Sequence, residues 1–237
     1  MTEELFATDA YLRSCDAKVR EAGDEGVVLD RTVFYARGGG QPGDTGVLRW
    51  DGGELRVLDT VKRGGTFLHE VDGASPAEDT AVTAEIDWDR RHALMRTHSG
   101  LHVLCGVIWN EWRVPVTGGN MEPLSARMDF EFDPLPEGFG PRVEELVNAE
   151  LAADRAIEVS FLPRETAVMD EDLIRTKVSL IPESVAEIRV VDIVGLDKQA
   201  DGGTHVPSTA HVGRIRVVKT ESKGKGNKRL RIEVVDA

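Results

Sequence analysis

Short runs of β-prone residues, separated by Gly, Asp and Pro, fill the first third of the chain. The four residues Asp51-Gly52-Gly53-Glu54 separate two of these runs and predict a hairpin turn. Many short strands without a long helical pattern predict a small β-barrel, which we place at residues 1–88. The runs that predict strands are Gly26–Leu29, Val47–Trp50, Leu55–Leu58, Phe67–Val71 and Ala81–Ile86.

The hydrophobic period changes at Asp89. From there to Trp112, apolar residues recur mostly three or four positions apart, which predicts a helix with Asp89 as its cap. Strands and helices are segregated along the chain rather than alternating, so we predict an α+β fold whose second domain covers residues 89–237. This domain is predicted to contain a helix at 141–154 and strands at 124–132, 157–162, 187–193, 212–219 and 228–235.

Composition excludes several classes of protein. The chain has 237 residues, of which 41% are hydrophobic and 30% charged, so it can bury a core. It contains neither a run of about 18 apolar residues, as a membrane span requires, nor the start of a secretory signal. Cys15 and Cys105 do not make a disulfide framework. We therefore expect a soluble cytoplasmic protein without a membrane partner, and we favour a monomer.

Charge is distributed unevenly. The chain carries a net charge of −13, but the segment from Arg214 to Arg231 holds eight basic residues and one acid, a net +7 that leaves −20 for the rest. This layout is typical of a protein that touches a polyanion at one place. A solvated, Lys-rich terminal hairpin remains the alternative.

Two pairs of residues have spacings that suit a metal ion. His98 and His102 lie four apart on the predicted helix, so both imidazoles project from one face. Asp201 and His205 are also four apart, and two intervening glycines allow a turn with positive φ. Three histidines and one carboxylate would complete a tetrahedral zinc site, with one Zn²⁺ per chain. The alternative is a tight turn with a solvated aspartate.

Three consecutive glycines, Gly38, Gly39 and Gly40, precede Gln41. Such a run exposes backbone N–H groups and lets a ligand approach closely, although a flexible barrel turn has the same composition. The spacing matches neither a P-loop nor a dinucleotide-binding loop.

These blocks together resemble the free-standing alanyl-tRNA editing proteins of the AlaX type. The resemblance rests on Leu29–Tyr35, Gly38–Gln41 and Asp44–Gly46, on Arg90–His98 with His102, and on Asp201–Val206 with Thr209 and Gly213. It covers nearly the whole chain. Asp201 stands where the family usually has Cys, so it either ligates the metal as a harder, weaker ligand or orients water beside it. Position 36 is Ala where the family often has Pro.

The resemblance implies hydrolysis of the ester on tRNA for alanine that carries serine or glycine by mistake. It also implies that the metal either activates water or anchors the terminal ribose. Substrate contacts are expected from Thr32, Gly38, Gly39, Gly40, Gln41 and Thr204, with Gln41 and the glycines in a cleft between the domains. Phosphate contacts are expected from Lys219, Lys223, Lys225, Lys228, Arg229 and Arg231.

Two functions of other classes stay open. One is a non-catalytic tRNA- or RNA-binding module with a structural metal, which the replacement at Asp201 would favour. The other is a metal-dependent hydrolase of small esters or amides, for which the basic segment would be superfluous. Deacylation and salt-dependent tRNA binding discriminate among the three.

Overall fold

A computed structural model describes residues 2–170, 173, 185–224 and 226–237. The chain divides into two compact units, Met1–Leu94 and Met95–Ala237, and the division falls inside helix α1. The helices are α1 (Trp88–Trp112), α2 (Phe139–Ala152) and α3 (Arg164–Ala167). The strands are β1 (Glu3–Glu4), β2 (Ser14–Gly23), β3 (Gly26–Leu29), β4 (Arg31–Thr32), β5 (Gly46–Trp50), β6 (Gly53–Arg63), β7 (Thr66–Asp72), β8 (Ala81–Ile86), β9 (Val116–Glu122), β10 (Ser125–Glu131), β11 (Ile157–Pro163), β12 (Glu187–Ile193), β13 (Asp197–Ala200), β14 (Arg214–Ser222) and β15 (Asn227–Val235).

A closed antiparallel barrel dominates the first unit, with strand order β2-β3-β7-β6-β5-β8. Alternation places one face of each strand inside; β8, for example, alternates between exposed and buried residues along its whole length. Leu29, Leu48 and Ala84 are fully buried in the resulting core. The predicted barrel is confirmed, and each of the five predicted runs lies in one of its strands.

Strand β2 was not predicted. Its inward positions include the buried Ala17 and Val19 and the half-buried Cys15, but most residues of the sequence SCDAKVREAG are small or charged and have little strand preference. It is a strand because it pairs with β8 and β3, which close the barrel on either side of it. The pairing with β8 joins segments far apart in the sequence, and a local pattern does not reveal it.

Helix α1 begins one residue earlier than predicted, and Asp87 rather than Asp89 caps it. The Arg90 N–H donates to Asp87 Oδ1 at 3.2 Å, the bond that a cap makes with the first turn. Asp89 lies within that first turn, where its charge favours the positive end of the helix dipole.

The second unit contains two further sheets. Strands β14-β15-β10-β9 form a four-stranded antiparallel sheet, and β11-β12-β13 form a three-stranded one. Helix α2 buries Phe139, Val143, Val147 and Leu151, which recur every four residues. Its Asn148 side chain donates to the Ile215 carbonyl at 2.8 Å and accepts from the Ile215 N–H at 2.9 Å, which joins α2 to β14.

The α+β class is confirmed by this mixture of barrel, sheets and helices. Strands β9 and β13 were missed, since β9 contains Gly118-Gly119-Asn120 and β13 reads Asp-Lys-Gln-Ala, neither of which favours strand locally. Among the described helices, none has both the length and the apolar character needed to cross a membrane.

Candidate metal centre

Four side chains of the second unit gather into one buried cluster: His98, His102, Asp201 and His205. One ligand atom from each lies within 4.8 Å of those of the others. The imidazole centroids are 4.4 Å apart for His98 and His205, and 4.8 Å apart for His102 and His205. Each histidine is about 5% exposed, so the cluster is shielded from bulk water. These are the four residues that the sequence predicts to converge.

Helix α1 supplies His98 and His102, and the loop after β13 supplies Asp201 and His205. The loop is turned by a side chain rather than by glycine conformation: Asp201 Oδ2 accepts the Gly203 N–H at 2.8 Å. Neither Gly202 nor Gly203 has a positive φ, so that part of the prediction is wrong. Asp201 therefore shapes the loop and contributes its carboxylate to the cluster.

A second carboxylate, Asp197 on β13, orients His102. Its Oδ2 accepts a hydrogen bond from His102 Nδ1 at 3.2 Å and another from Gln199 Nε2 at 2.8 Å. Asp197 is 2% exposed. Helix α1 packs closely against it at Gly106, where the Cβ of any larger residue would lie only 3.0 Å from the Asp197 Cβ. With Nδ1 bound to Asp197, Nε2 is the nitrogen that His102 presents to the cluster.

Ser99 plays the corresponding part for His205. Its hydroxyl lies 3.1 Å from His205 Nδ1 and accepts the Val206 N–H at 3.1 Å. His205 Nε2 faces Asp201 Oδ2 at 2.9 Å, and His98 Nε2 lies 3.7 Å from Asp201 Oδ1. Asp197 and Ser99 are not among the residues that the sequence predicts for this site. Their signal in the sequence is their closeness along the chain to Asp201 and His98.

Electrostatics keep most of the cluster in the protonation state that a metal needs. Burial lowers the pKa of His98 well below its usual value and that of His205 to about 4, although Asp201 opposes both shifts. Burial also acts on Asp201, but the surrounding histidines outweigh it and hold its pKa well below the usual range. For His102, burial is outweighed by the hydrogen bond to Asp197, and its pKa is raised.

This donor set fits a divalent transition metal. Neutral imidazoles and an ionised carboxylate are ligands of Zn²⁺, and oriented Nδ1 atoms are typical of zinc-bound histidines. Metal binding requires His102 to release its proton, which the nearby carboxylates would otherwise retain.

The Gly38–Gln41 segment in the first unit is a tight turn. Gly38 and Gln41 exchange backbone hydrogen bonds of 3.1 and 2.8 Å, and Gly39 and Gly40 have φ of 55° and 87°. Two central residues with positive φ are what a type I′ hairpin turn requires, which accounts for both glycines. Gln41 is 1% exposed.

Thr32 is fully buried within the same unit. Its hydroxyl lies 2.8 Å from His69 Nε2 and accepts the Phe34 N–H at 3.0 Å. Thr204, in the second unit beside His205, is also fully buried. Substrate binding by these residues and by the glycine turn stays a prediction.

The basic segment lies in strands β14 and β15, and several of its basic side chains form ion pairs with acidic neighbours. Arg229 binds Asp129 through two bonds of 2.7 and 2.8 Å. Lys219 and Arg231 share Glu221, whose pKa they lower to about 2. Lys223 is exposed, and Lys228 Nζ donates to Ser222 Oγ at 3.1 Å. Lys225 lies outside the described residues.

Comparisons with known proteins agree on one family. The chain is 36% identical to the alanyl-tRNA editing protein AlaX-M of Saccharolobus solfataricus over 236 residues, which cover 97% of this chain and 98% of that protein. It is 34% identical to AlaX-M of Methanosarcina barkeri over the full length of both. The chain belongs to the AlaX family of alanyl-tRNA editing proteins.

Longer enzymes share the AlaX sequence pattern. The alanine–tRNA ligase of Pyrobaculum arsenaticum is 40% identical over 232 residues, which are 93% of this chain but 25% of the ligase. The family described as tRNA synthetases class II (A) matches residues 7–90, and the threonyl and alanyl tRNA synthetase second additional domain matches residues 188–231. The second match contains Asp201 and His205.

Other residues that carry the AlaX resemblance have structural roles. Asp44 and Arg91, both fully buried, form an ion pair through several contacts, and Arg91 also donates to the Val33 carbonyl at 2.6 Å. Thr209 Oγ1 donates to the Glu150 carbonyl at 3.0 Å near the end of α2. The motifs of this family therefore hold the backbone as well as the cluster.

Proposed function

We propose that this chain is an aminoacyl-tRNA deacylase that hydrolyses the ester bond of tRNA for alanine mischarged with serine or glycine. The AlaX relatives are named alanyl-tRNA editing proteins and match along their full length, which supports the reaction class. The observation that carries the proposal is the buried cluster of three histidines and one carboxylate.

The need for such an activity follows from small energy differences. One methylene changes binding in an apolar pocket by only about 1–3 kcal/mol, and a small pocket does not strongly reject an added hydroxyl. Alanine is therefore hard to separate from glycine or serine by binding alone. A second, hydrolytic step removes the wrong product after it has formed.

Within the site, His98, His102, His205 and Asp201 would hold one divalent ion, and the donor set favours Zn²⁺. When bound, the ion would supply Lewis-acid polarisation of water or of the terminal ribose and ester. Asp197 and Ser99 keep the His102 and His205 rings in the orientations that turn one nitrogen of each toward the cluster.

We further propose that Gly38–Gln41, Thr32 and Thr204 contribute to recognition of the substrate. When the Thr32 hydroxyl donates its proton to His69 Nε2, its Oγ1 also accepts the Phe34 N–H through one lone pair. The second lone pair of Oγ1 is then the group that Thr32 offers to a substrate. It would then receive, rather than donate, a hydrogen bond from a serine side chain. The Thr32→Val substitution tests this when the hydrolysis rates of seryl-tRNA and glycyl-tRNA are compared. Only the hydrolysis of seryl-tRNA should slow.

For tRNA binding, we expect Lys223 and Lys228 to contribute more than Lys219, Arg229 and Arg231, whose charges are paired with carboxylates. Arg229, Arg231 and Lys219 would bind phosphate in competition with their acidic partners. We propose that this surface meets the tRNA backbone, since the rest of the chain is strongly acidic.

The decisive experiment incubates the full chain with seryl- and glycyl-tRNA for alanine, with and without a chelator. We expect release of the amino acid, its loss on chelation, and its recovery on addition of Zn²⁺. His98→Ala should abolish activity, while His211→Ala should retain it, because His211 is an exposed histidine outside the cluster. Binding of tRNA without hydrolysis would favour the non-catalytic module, and hydrolysis of small esters alone would favour the small-ester hydrolase.

A further inference from the structure

One face of the three-stranded sheet continues from the metal cluster to an exposed aromatic side chain. Residues paired directly across antiparallel strands lie on the same face. Asp197 and Gln199 of β13 are on the cluster face, as their bonds to His102 and to each other show. Three rows of directly paired residues lie on this face: Ile157 with Ile193 and Asp197, Val159 with Val191 and Gln199, and Phe161 with Arg189. The Asp201 N–H donates to the Arg189 carbonyl at 3.1 Å, which extends the third row to Asp201.

This face becomes more exposed along the edge strand β11. Ile157 is 9% exposed, Val159 is 41% exposed and Phe161 is 44% exposed. Among the described residues, no ring contact is made by Phe161. Val191, paired with Val159 on the same face, is fully buried, so the exposure is confined to the β11 side. On the opposite face, Leu162, Ile188 and Val190 pack with α3. A large apolar ring is thus left in solvent in the row that ends at Asp201.

Arg189 lies between this ring and the cluster. Its Nη1 donates to the Asp201 carbonyl at 2.9 Å. This bond places the guanidinium beside the loop that carries Asp201 and His205. A fixed cation beside an exposed aromatic ring is suited to a ligand with an anionic group and a flat face.

We propose that Phe161 and Arg189 bind the 3′-terminal nucleotide of the acylated tRNA, with the base stacked on Phe161 and its phosphate near Arg189. This inference rests on the proposed function. The ester to be hydrolysed is attached to the ribose of that nucleotide, so the base and phosphate must lie within one nucleotide of the cluster. Phe161 is two strand spacings from Asp201, about 10 Å between backbones, which is the scale of a nucleotide.

A second copy of the chain is a less suitable occupant of this face. Among the described residues, the exposed large apolar side chains on this face are Val159 and Phe161. A stable protein–protein interface buries about 800 Å² on each partner, which these two side chains do not supply. Bases, by contrast, stack on single aromatic side chains regardless of their sequence.

The test measures binding of uncharged tRNA for alanine, either complete or lacking its 3′-terminal adenosine, to the full chain. Phe161→Leu removes the flat ring but keeps apolar bulk, and Phe161→Trp retains a stacking surface. Val194→Ala is the matched control, since Val194 is 45% exposed and lies beyond the opposite end of β12. Metal content and thermal unfolding are recorded for each variant to establish that the cluster and fold are intact.

We expect Phe161→Leu to weaken binding of complete tRNA about 5- to 140-fold, the effect of losing one stacked base, and to leave truncated tRNA unaffected. Phe161→Trp should bind like the unaltered protein, and so should Val194→Ala. Arg189→Gln should likewise weaken only the complete tRNA and flatten its salt dependence. Equal weakening of both tRNAs, no weakening of either, or a change in oligomeric state on Phe161→Leu would each overturn the proposal. The deacylation assay on the unaltered chain tests the proposed function separately.

Discussion

His69 should make the stability of this protein fall as the pH decreases below about 6.5. Its ring is fully buried in the barrel; Nδ1 lies 2.9 Å from the Val27 carbonyl, and Nε2 lies 2.8 Å from the Thr32 hydroxyl. This arrangement fits a neutral ring that donates from Nδ1 and accepts at Nε2. Burial accordingly lowers its pKa to about 4, from 6.5 in the unfolded chain.

The sign and size of the effect follow from proton linkage. Between pH 6.5 and 4 the unfolded chain binds a proton at residue 69 that the folded chain does not, so acid favours unfolding. Above pH 6.5 both states are neutral and the stabilisation is complete. Each pH unit within the window costs about 1.4 kcal/mol, so this one group should remove about 2 kcal/mol between pH 7.5 and pH 5.

Urea unfolding at several pH values, followed by circular dichroism, measures this loss. Because other groups also titrate, the comparison is with His69→Asn, which keeps a donor for the Val27 carbonyl but does not titrate. The variant should be less stable at pH 7.5 and lose about 2 kcal/mol less than the unaltered protein by pH 5. Parallel pH profiles for the two proteins would show that His69 is not held neutral by the barrel.

Three further outcomes are expected. Asp197→Asn should weaken Zn²⁺ binding about 10- to 100-fold in competition with a chelator, because the His102 ring loses its carboxylate partner; unchanged affinity would contradict that role. Asp44→Ala should lower the free energy of unfolding by about 3–5 kcal/mol, since it leaves Arg91 buried without its partner; a loss below 1 kcal/mol would mean that water reaches the guanidinium. Lys223→Ala should reduce the salt dependence of tRNA binding by the contribution of about one phosphate contact. Lys219→Ala should reduce it by less, because Lys219 already pairs with Glu221. An equal salt dependence for the Lys223→Ala variant and the unaltered protein would remove Lys223 from the binding surface.

The local parts of this structure could be read from the sequence. Periodicity is a property of neighbouring residues, so it predicted β3, β8 and β12 to the residue and α1 to within one residue. The metal cluster was predictable for a similar reason. The spacing of His98 and His102 determines their common helix face, and Asp201 and His205 form a second pair of the same separation.

The tertiary structure decided what these groups touch. The residues of β2, β9 and β13 carry little strand preference, and pairing makes them strands. Strands β9 and β13 pair with their sequence neighbours β10 and β12, whereas β2 also pairs with β8, which is far away in the chain. The partners of the cluster histidines are likewise distant: Asp197 lies 95 residues from His102, and Ser99 lies 106 residues from His205. Hydrogen bonds of this kind depend on side-chain geometry to within a few tenths of an ångström, which no spacing in a sequence specifies.

Charge shows the same division most clearly. The sequence by itself determined that the C-terminal segment is basic and the remainder acidic, because composition is independent of folding. Only the fold decided that Asp129 neutralises Arg229 across paired strands and that Glu221 holds both Lys219 and Arg231. Coulomb energy depends on the distance between charges in space, and residues 129 and 229 become neighbours only when β10 pairs with β15.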